Sequence, residues 1–131
     1  MATVRTMFSG ANKIIYNITG TFSVSDESDV VIVDRSTLTG PLGTVPTYIR
    51  VDELTWSVGS GFDYVLLEFD DGTDEVIEYL SGQGYMDFTP YGGKKMSTAP
   101  GSATEGDILL STSGGATGDT YSIMLVCRLK Q

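Results

Sequence analysis

The stretch Thr120-Tyr-Ser-Ile-Met-Leu-Val-Cys-Arg-Leu-Lys130 alternates along its whole length. Tyr121, Ile123, Leu125, Cys127 and Leu129 share one parity; Ser122, Met124, Val126, Arg128 and Lys130 share the other, which turns polar toward the end. A period of two puts the first set on one face of a β-strand, whereas a helix would repeat its apolar positions every three or four residues. Lys13-Ile-Ile-Tyr-Asn-Ile-Thr-Gly-Thr-Phe-Ser-Val24 behaves alike, with Ile14, Tyr16, Ile18, Phe22 and Val24 opposed to Asn17, Thr19, Thr21 and Ser23. Both read as long strands with one buried face.

Between them, Val30–Val33, Tyr48–Val58, Asp63–Phe69, Glu75–Leu80 and Asp107–Leu110 are rich in β-branched and aromatic residues, and each is closed by a turn signal such as Asp70-Asp-Gly-Thr-Asp74. No window carries apolar residues at helical spacing between a capping residue and a terminal glycine. The expected fold is all-β: a single antiparallel β-sandwich over residues 1–131, jelly-roll-like or Greek-key, with little or no helix. A chain of 131 residues is long enough to enclose one core of this kind. Val4 to Ser9 reads either as the first strand or as part of a short N-terminal contact arm spanning residues 2–11. The irregular stretch 81–106 reads either as a surface excursion with a short strand at Tyr85 to Phe88 or as a contact arm for a neighbouring subunit.

Eight basic residues against seventeen acids give a net charge of -9 and a pI near 4.2. Such a surface repels phosphate backbones, so no nucleic-acid partner is expected. No apolar run approaches the roughly 18 residues of a membrane helix, and the N-terminus lacks the features of a signal peptide, so a cytosolic origin is expected. Cys127 is the only cysteine and lies in an apolar run, where a thiol packs as a small hydrophobe.

The chain has no histidine, which removes Ser-His-Asp and Cys-His nucleophile sets and every histidine-ligated metal site. A Ser-Lys arrangement through Lys13, Lys94, Lys95 or Lys130 finds no serine in a nucleophile setting. Glu68, Asp70, Asp71, Asp74, Glu75 and Glu78 are numerous, but around a turn they read as a solvated hairpin tip rather than as an acid/base pair. Asp70-Asp-Gly-Thr-Asp74 also lacks the spacing of an EF-hand, which puts the turn ahead of calcium. The glycine-rich Thr112-Ser-Gly-Gly-Ala-Thr-Gly-Asp119 lies between two strands and carries no base; a phosphate cradle needs a helix N-terminus and usually a lysine. It reads as a hairpin or sheet-crossing turn. No catalytic group, metal or cofactor is expected.

Of the aromatics, Trp56, Tyr64 and Tyr79 fit core or cross-strand positions. Tyr85, Phe88 and Tyr91, beside Gly84 and Pro90, read as exposed and suit a protein interface or a sugar platform.

The segment Glu105 to Lys130, the Trp56-Ser-Val-Gly and Val65-Leu-Leu-Glu-Phe-Asp stretches, Met86-Asp-Phe88 with Tyr91-Gly-Gly93, and Asn12-Lys-Ile-Ile-Tyr-Asn-Ile-Thr-Gly-Thr-Phe22 together make the chain similar to small virion structural proteins of tailed bacteriophages. The resemblance covers most of the chain but rests on turn and strand patterns, with no residue-level binding motif. It implies a sandwich that decorates or cements the outer surface of a capsid, on the virion head, made in the cytoplasm of the bacterial host. The implied partners are the major capsid protein and further copies of the chain, in trimers or other oligomers. Tail and fibre proteins share similar sandwiches, and a surface carbohydrate-binding or receptor-binding module is the alternative. Under the decoration reading the expected contact residues are Met7, Phe8, Tyr85, Phe88, Tyr91, Lys94 and Lys95.

Overall fold

The computed structural model describes residues 2–10 and 12–131. Among them nine strands follow in chain order: β1 (Thr3–Ser9), β2 (Lys13–Thr21), β3 (Val30–Val33), β4 (Tyr48–Val58), β5 (Tyr64–Phe69), β6 (Glu75–Leu80), β7 (Gln83–Asp87), β8 (Ile108–Ser113) and β9 (Thr120–Lys130). Helix is confined to two three-residue 3-10 turns, Arg35–Thr37 and Thr89–Tyr91. Sheet I has the order β1-β2-β9-β4-β7 and sheet II the order β3-β8-β5-β6, and every pairing is antiparallel.

The pairing describes one long hairpin rolled on itself. β2 pairs with β9, β3 with β8, β4 with β7 and β5 with β6, with the tip at residues 70–74; the β4·β9 and β5·β8 pairs close the roll. This is the jelly-roll form of the sandwich, with β1 added at the edge of sheet I.

Alternation decides which side chains lie between the sheets. Ile14, Tyr16 and Ile18 of β2 and Tyr121, Ile123, Leu125, Cys127 and Leu129 of β9 face Val65, Leu67 and Phe69 of β5 and Ile108 and Leu110 of β8, all buried. Burying each of the larger side chains contributes about 1.5–3 kcal/mol, so this shared parity is the main force holding the layers together.

The strand bounds of β3, β4, β6 and β9 are those that periodicity dictates. β2 is shorter than expected: its pairing with β9 ends at Thr21, the chain crosses toward sheet II, and Val24 is 88 % exposed rather than buried. Phe22 leaves the ladder to pack edge-to-face on Phe62, with centroids 6.3 Å apart. β8 runs past Leu110, because Ser111 and Thr112 continue the ladder with β5.

Residues 3–9 are a strand, and Ala11, at the end of the expected arm, lies outside the described residues. β1 is exposed along its whole length and carries a bulge between Thr6 and Phe8. Stretch 81–106 contributes β7 and is then tied down on its own sandwich. The Lys94 amide and carbonyl pair with Val51, the Lys94 ammonium donates to the Ile77 carbonyl, and Ser97 donates to the Glu75 carboxylate.

Candidate functional site

Two places were legible as possible sites in the sequence, and the fold presents a third. The first is the glycine-rich loop, which crosses from β8 in sheet II to β9 in sheet I. Its amides do hold an anion, but the anion is internal: the Asp26 carboxylate accepts from Gly114 N at 3.1 Å, Gly115 N at 3.2 Å and the Thr112 hydroxyl at 3.1 Å. Gly114 sits at φ +79°, where a side chain is strained, and a β-carbon on Gly115 would overlap the Phe22 and Phe62 rings. The loop is a packed crossing whose donors are taken up within the chain, by Asp26 and also by Asp119, Phe22 and Ser23.

The second is the acidic hairpin tip. Asp71 and Gly72 amides donate to Asp74 and Asp71 carboxylates, closing the turn locally. The fold adds a residue that spacing did not reveal: Asp29, from the β2–β3 connection, lies with Glu68 and Asp74 so that their carboxylate oxygens fall within 4.8 Å of one another. Burial, then the Asp74 and Asp29 charges, raise the Glu68 pKa. Three oxygen donors at this separation have the chemistry of a hard-cation ligand set, though exposed acids gather this way without one.

The third is the outer face of sheet I. Directly opposed residues in antiparallel strands share a face, so register turns that face into rows. Thr3–Thr19–Ser122–Ser57–Gln83 is a row of hydroxyls and an amide, and Arg5–Asn17–Met124–Thr55–Tyr85 follows it. Next comes the apolar row Phe8–Ile15–Val126, which continues into Glu53–Asp87, and then the basic row Lys13–Arg128–Arg50. Lys130 opposite Tyr48, with the Lys95 ammonium 4.3 Å above the Tyr48 ring, completes the cationic end.

No family model, curated protein or solved structure matches this chain. The surface is therefore read from its own residues. A bulge between Val51 and Glu53 turns the buried Asp52 toward the two arginines: Arg50 Nε lies 2.7 Å and Arg128 Nε 3.0 Å from its carboxylate oxygens. A shallow open groove of about 830 Å³ lies over the opposite end, lined by Thr3, Thr19, Thr21, Ser57, Gln83 and Ser122 among others and by no charged residue.

The expected contact residues do not form one patch. Met7 and Phe8, about half exposed, lie on β1 at one edge of sheet I; Tyr85, 56 % exposed, lies on β7 at the other. Four strand spacings, about 19 Å, separate those edges. The Tyr85 hydroxyl donates to Glu53 Oε1 at 2.6 Å, and this bond, with burial and the acid's charge, pushes the phenol up to about 12. Tyr91 is 82 % exposed on the second 3-10 turn. Lys95 is exposed, while Lys94 is half-buried with its ammonium 5.3 Å from the Phe88 ring centroid.

Phe88 corrects the reading of this region. It was expected to be exposed, but it is 6 % exposed and belongs to the core cluster. Met86 is paired with the inward Leu54, and Phe88 keeps its parity, docking where its amide donates to the Asp52 carbonyl at 2.8 Å.

One buried cation gave no signal of its role beyond its isolation in sequence. Arg35 donates from Nε to Glu105 O at 2.8 Å, from Nη1 to Pro46 O at 2.9 Å and from Nη2 to Ser102 O at 2.8 Å. Its own amide donates to Asp107 Oδ1 at 2.8 Å. The guanidinium therefore fixes the end of the 81–106 stretch and is structural.

Proposed function

We propose that the protein is a non-enzymatic structural component of a tailed-phage virion that binds the outer surface of the capsid and stabilises it by bridging capsomers. The observation that carries this reading is the form of the exposed surface: a thin two-sheet slab whose exposed apolar and aromatic side chains, Met7, Phe8, Tyr85, Tyr91 and Met124, are spread across a face and both edges of sheet I. A slab of this kind contacts more than one neighbour at once, so separating capsomers must break several contacts together. The jelly roll is a fold that viral capsid and lectin domains share.

The test is localisation in electron cryo-microscopy maps of intact particles, with release of the protein from heads as a second readout. Density on the head surface between capsomers, and heads that lose heat resistance when stripped of the protein, are expected; a protein absent from particles would overturn the reading.

A second reading is favoured by the neutral groove over the Thr3–Thr19–Ser122–Ser57–Gln83 row. Hydroxyl and amide groups without charge suit a saccharide, with Tyr85 in the adjacent row as a stacking ring. Saccharide titration abolished by Tyr85→Ala would place recognition of a glycan ahead of capsid bridging.

A further inference from the structure

The two outer faces of the sandwich carry opposite charge. Of the eight basic residues, Arg5, Lys13, Arg50, Arg128 and Lys130 lie on strands of sheet I, and Lys94 and Lys95 lie beside β4 in the stretch that follows β7. Only three acids, Asp52, Glu53 and Asp87, share that side. Six acids, Glu68, Asp70, Asp71, Asp74, Glu75 and Glu78, lie on the strands of sheet II and its β5–β6 hairpin with no base among them; the other eight lie on connections that cross between the sheets, as does the buried Arg35. A net charge of -9 therefore conceals a molecule with a basic sheet and an acidic one.

Each face sets an apolar strip beside its charge. On sheet I, Phe8–Ile15–Val126 runs next to Lys13–Arg128–Arg50. On the outer side of sheet II, Val31 and Val76, 51 % and 43 % exposed, lie in one cross-strand row with Glu68 and the covered Leu109, and Tyr79 stands 54 % exposed beyond Leu66 in the next. No described ion pair involves Asp29, Glu68 or Asp74.

We propose that the protein associates with copies of itself head to tail, the acidic outer face of sheet II of one molecule seated on the basic outer face of sheet I of the next. Charge selects this arrangement over the two symmetric ones, since acidic on acidic and basic on basic both repel. The contact is heterologous, so it extends into a chain of molecules or closes into a ring. Its size is set by sheet II: four strands of about six residues project to about 400 Å², half of the roughly 800 Å² per partner in a standard interface. Association is consequently weak and needs high local concentration. Screening also tunes it. At about 0.1 M salt the Debye length of about 10 Å matches the distance between packed sheets, so each face is felt separately. At about 1 M the attraction is screened.

The inference stands whether or not the protein decorates a capsid, and its test uses the isolated chain. In sedimentation velocity at high protein concentration, the weight-average mass of the native chain is expected to at least double, by ~2-fold or more, between about 1 M and about 0.1 M salt. Lys13→Glu/Lys130→Glu cancels the net charge of the basic face, and Val31→Lys/Glu68→Lys places two positive charges in the middle of the acidic one; each alone is expected to stay monomeric. Mixed together they retain one intact face each, and a one-to-one dimer is expected. A native chain that is monomeric at both salts would overturn the proposal and leave the acidic face to a basic partner of another sequence. Either variant associating alone as the native chain does, or folded variants that fail to pair when mixed, would overturn it as well. The salt comparison on the native chain decides the matter even where a variant does not fold.

Discussion

Arg35 and the three carbonyls it serves sit between the start of β4 and the end of the 81–106 stretch, mostly out of water. Hydrogen bonds from a charged donor contribute about 1.5–3 kcal/mol each when their loss strands a buried partner. Arg35→Ala is expected to cost about 3 kcal/mol or more in urea unfolding and to open residues 97–104 to proteolysis in the native state. Arg35→Lys is expected to restore little, because one ammonium cannot span three carbonyls as the planar guanidinium does. Glu68 offers a pH test. Burial and the nearby Asp74 and Asp29 raise its pKa above the ordinary 4.5, so the fold favours the protonated acid. Its contribution is full below that ordinary value and is lost as pH rises through the raised one. Glu68→Gln should therefore melt at higher temperature than the native chain near neutral pH, with the gap closing below about 4.5; an equal gap at both would argue against mutual repulsion. Neither residue's environment was legible in the sequence, because Arg35 meets Glu105 and Asp29 meets Glu68 only after the roll has brought distant connections together.

At the scale of elements, alternation made the strands legible and left their neighbours undetermined. β9 is found where the period of two ends, since eleven residues of unbroken alternation leave little latitude, whereas β4 keeps its bounds although the bulge at Asp52 switches its inward parity from Ile49 and Val51 to Leu54 and Val58. β7 has five residues, too few to show which parity faces inward, and that is why Phe88 read as exposed. The same strand supplies a sensitive reporter: Gly84 lies opposite Trp56, the one tryptophan, and a β-carbon there would overlap its ring. Gly84→Ala is expected to displace Trp56 from the Ser81 carbonyl, to which Nε1 donates at 3.0 Å, and to shift its emission, with a lower melting temperature. β1 makes the contrasting case. All of its residues are exposed, so deletion of residues 2–9 removes ladder bonds but little core. A soluble, cooperatively melting protein with lowered melting temperature is expected by circular dichroism; insoluble protein would mean that β2 needs β1 as cover.

At the scale of the whole molecule, the sandwich and its low helix content followed from the sequence, whereas the division of charge between two faces did not. Parity says that Lys13, Arg50 and Arg128 each point outward; only register sets them side by side. Cys127 reports on global integrity. It is fully buried in β9, burial raises its pKa, and a buried thiol is a poor nucleophile, so a thiol reagent should label it at the rate of global opening and no faster. Labelling that outpaces unfolding would show that sheet I opens locally.

The position of β9 has a consequence for the timing of assembly. It lies between β2 and β4 in sheet I, yet of the nine strands it is the last to be synthesised. A chain still emerging from the ribosome, at about 5–20 residues per second, can form the β5–β6 hairpin but leaves β2 and β4 without the strand that joins them. Until that strand arrives, edges that are later interior remain open to wrong partners, so a fragment ending before Thr120 should need a chaperone to stay soluble, and the finished chain should acquire its sheet in a single late step.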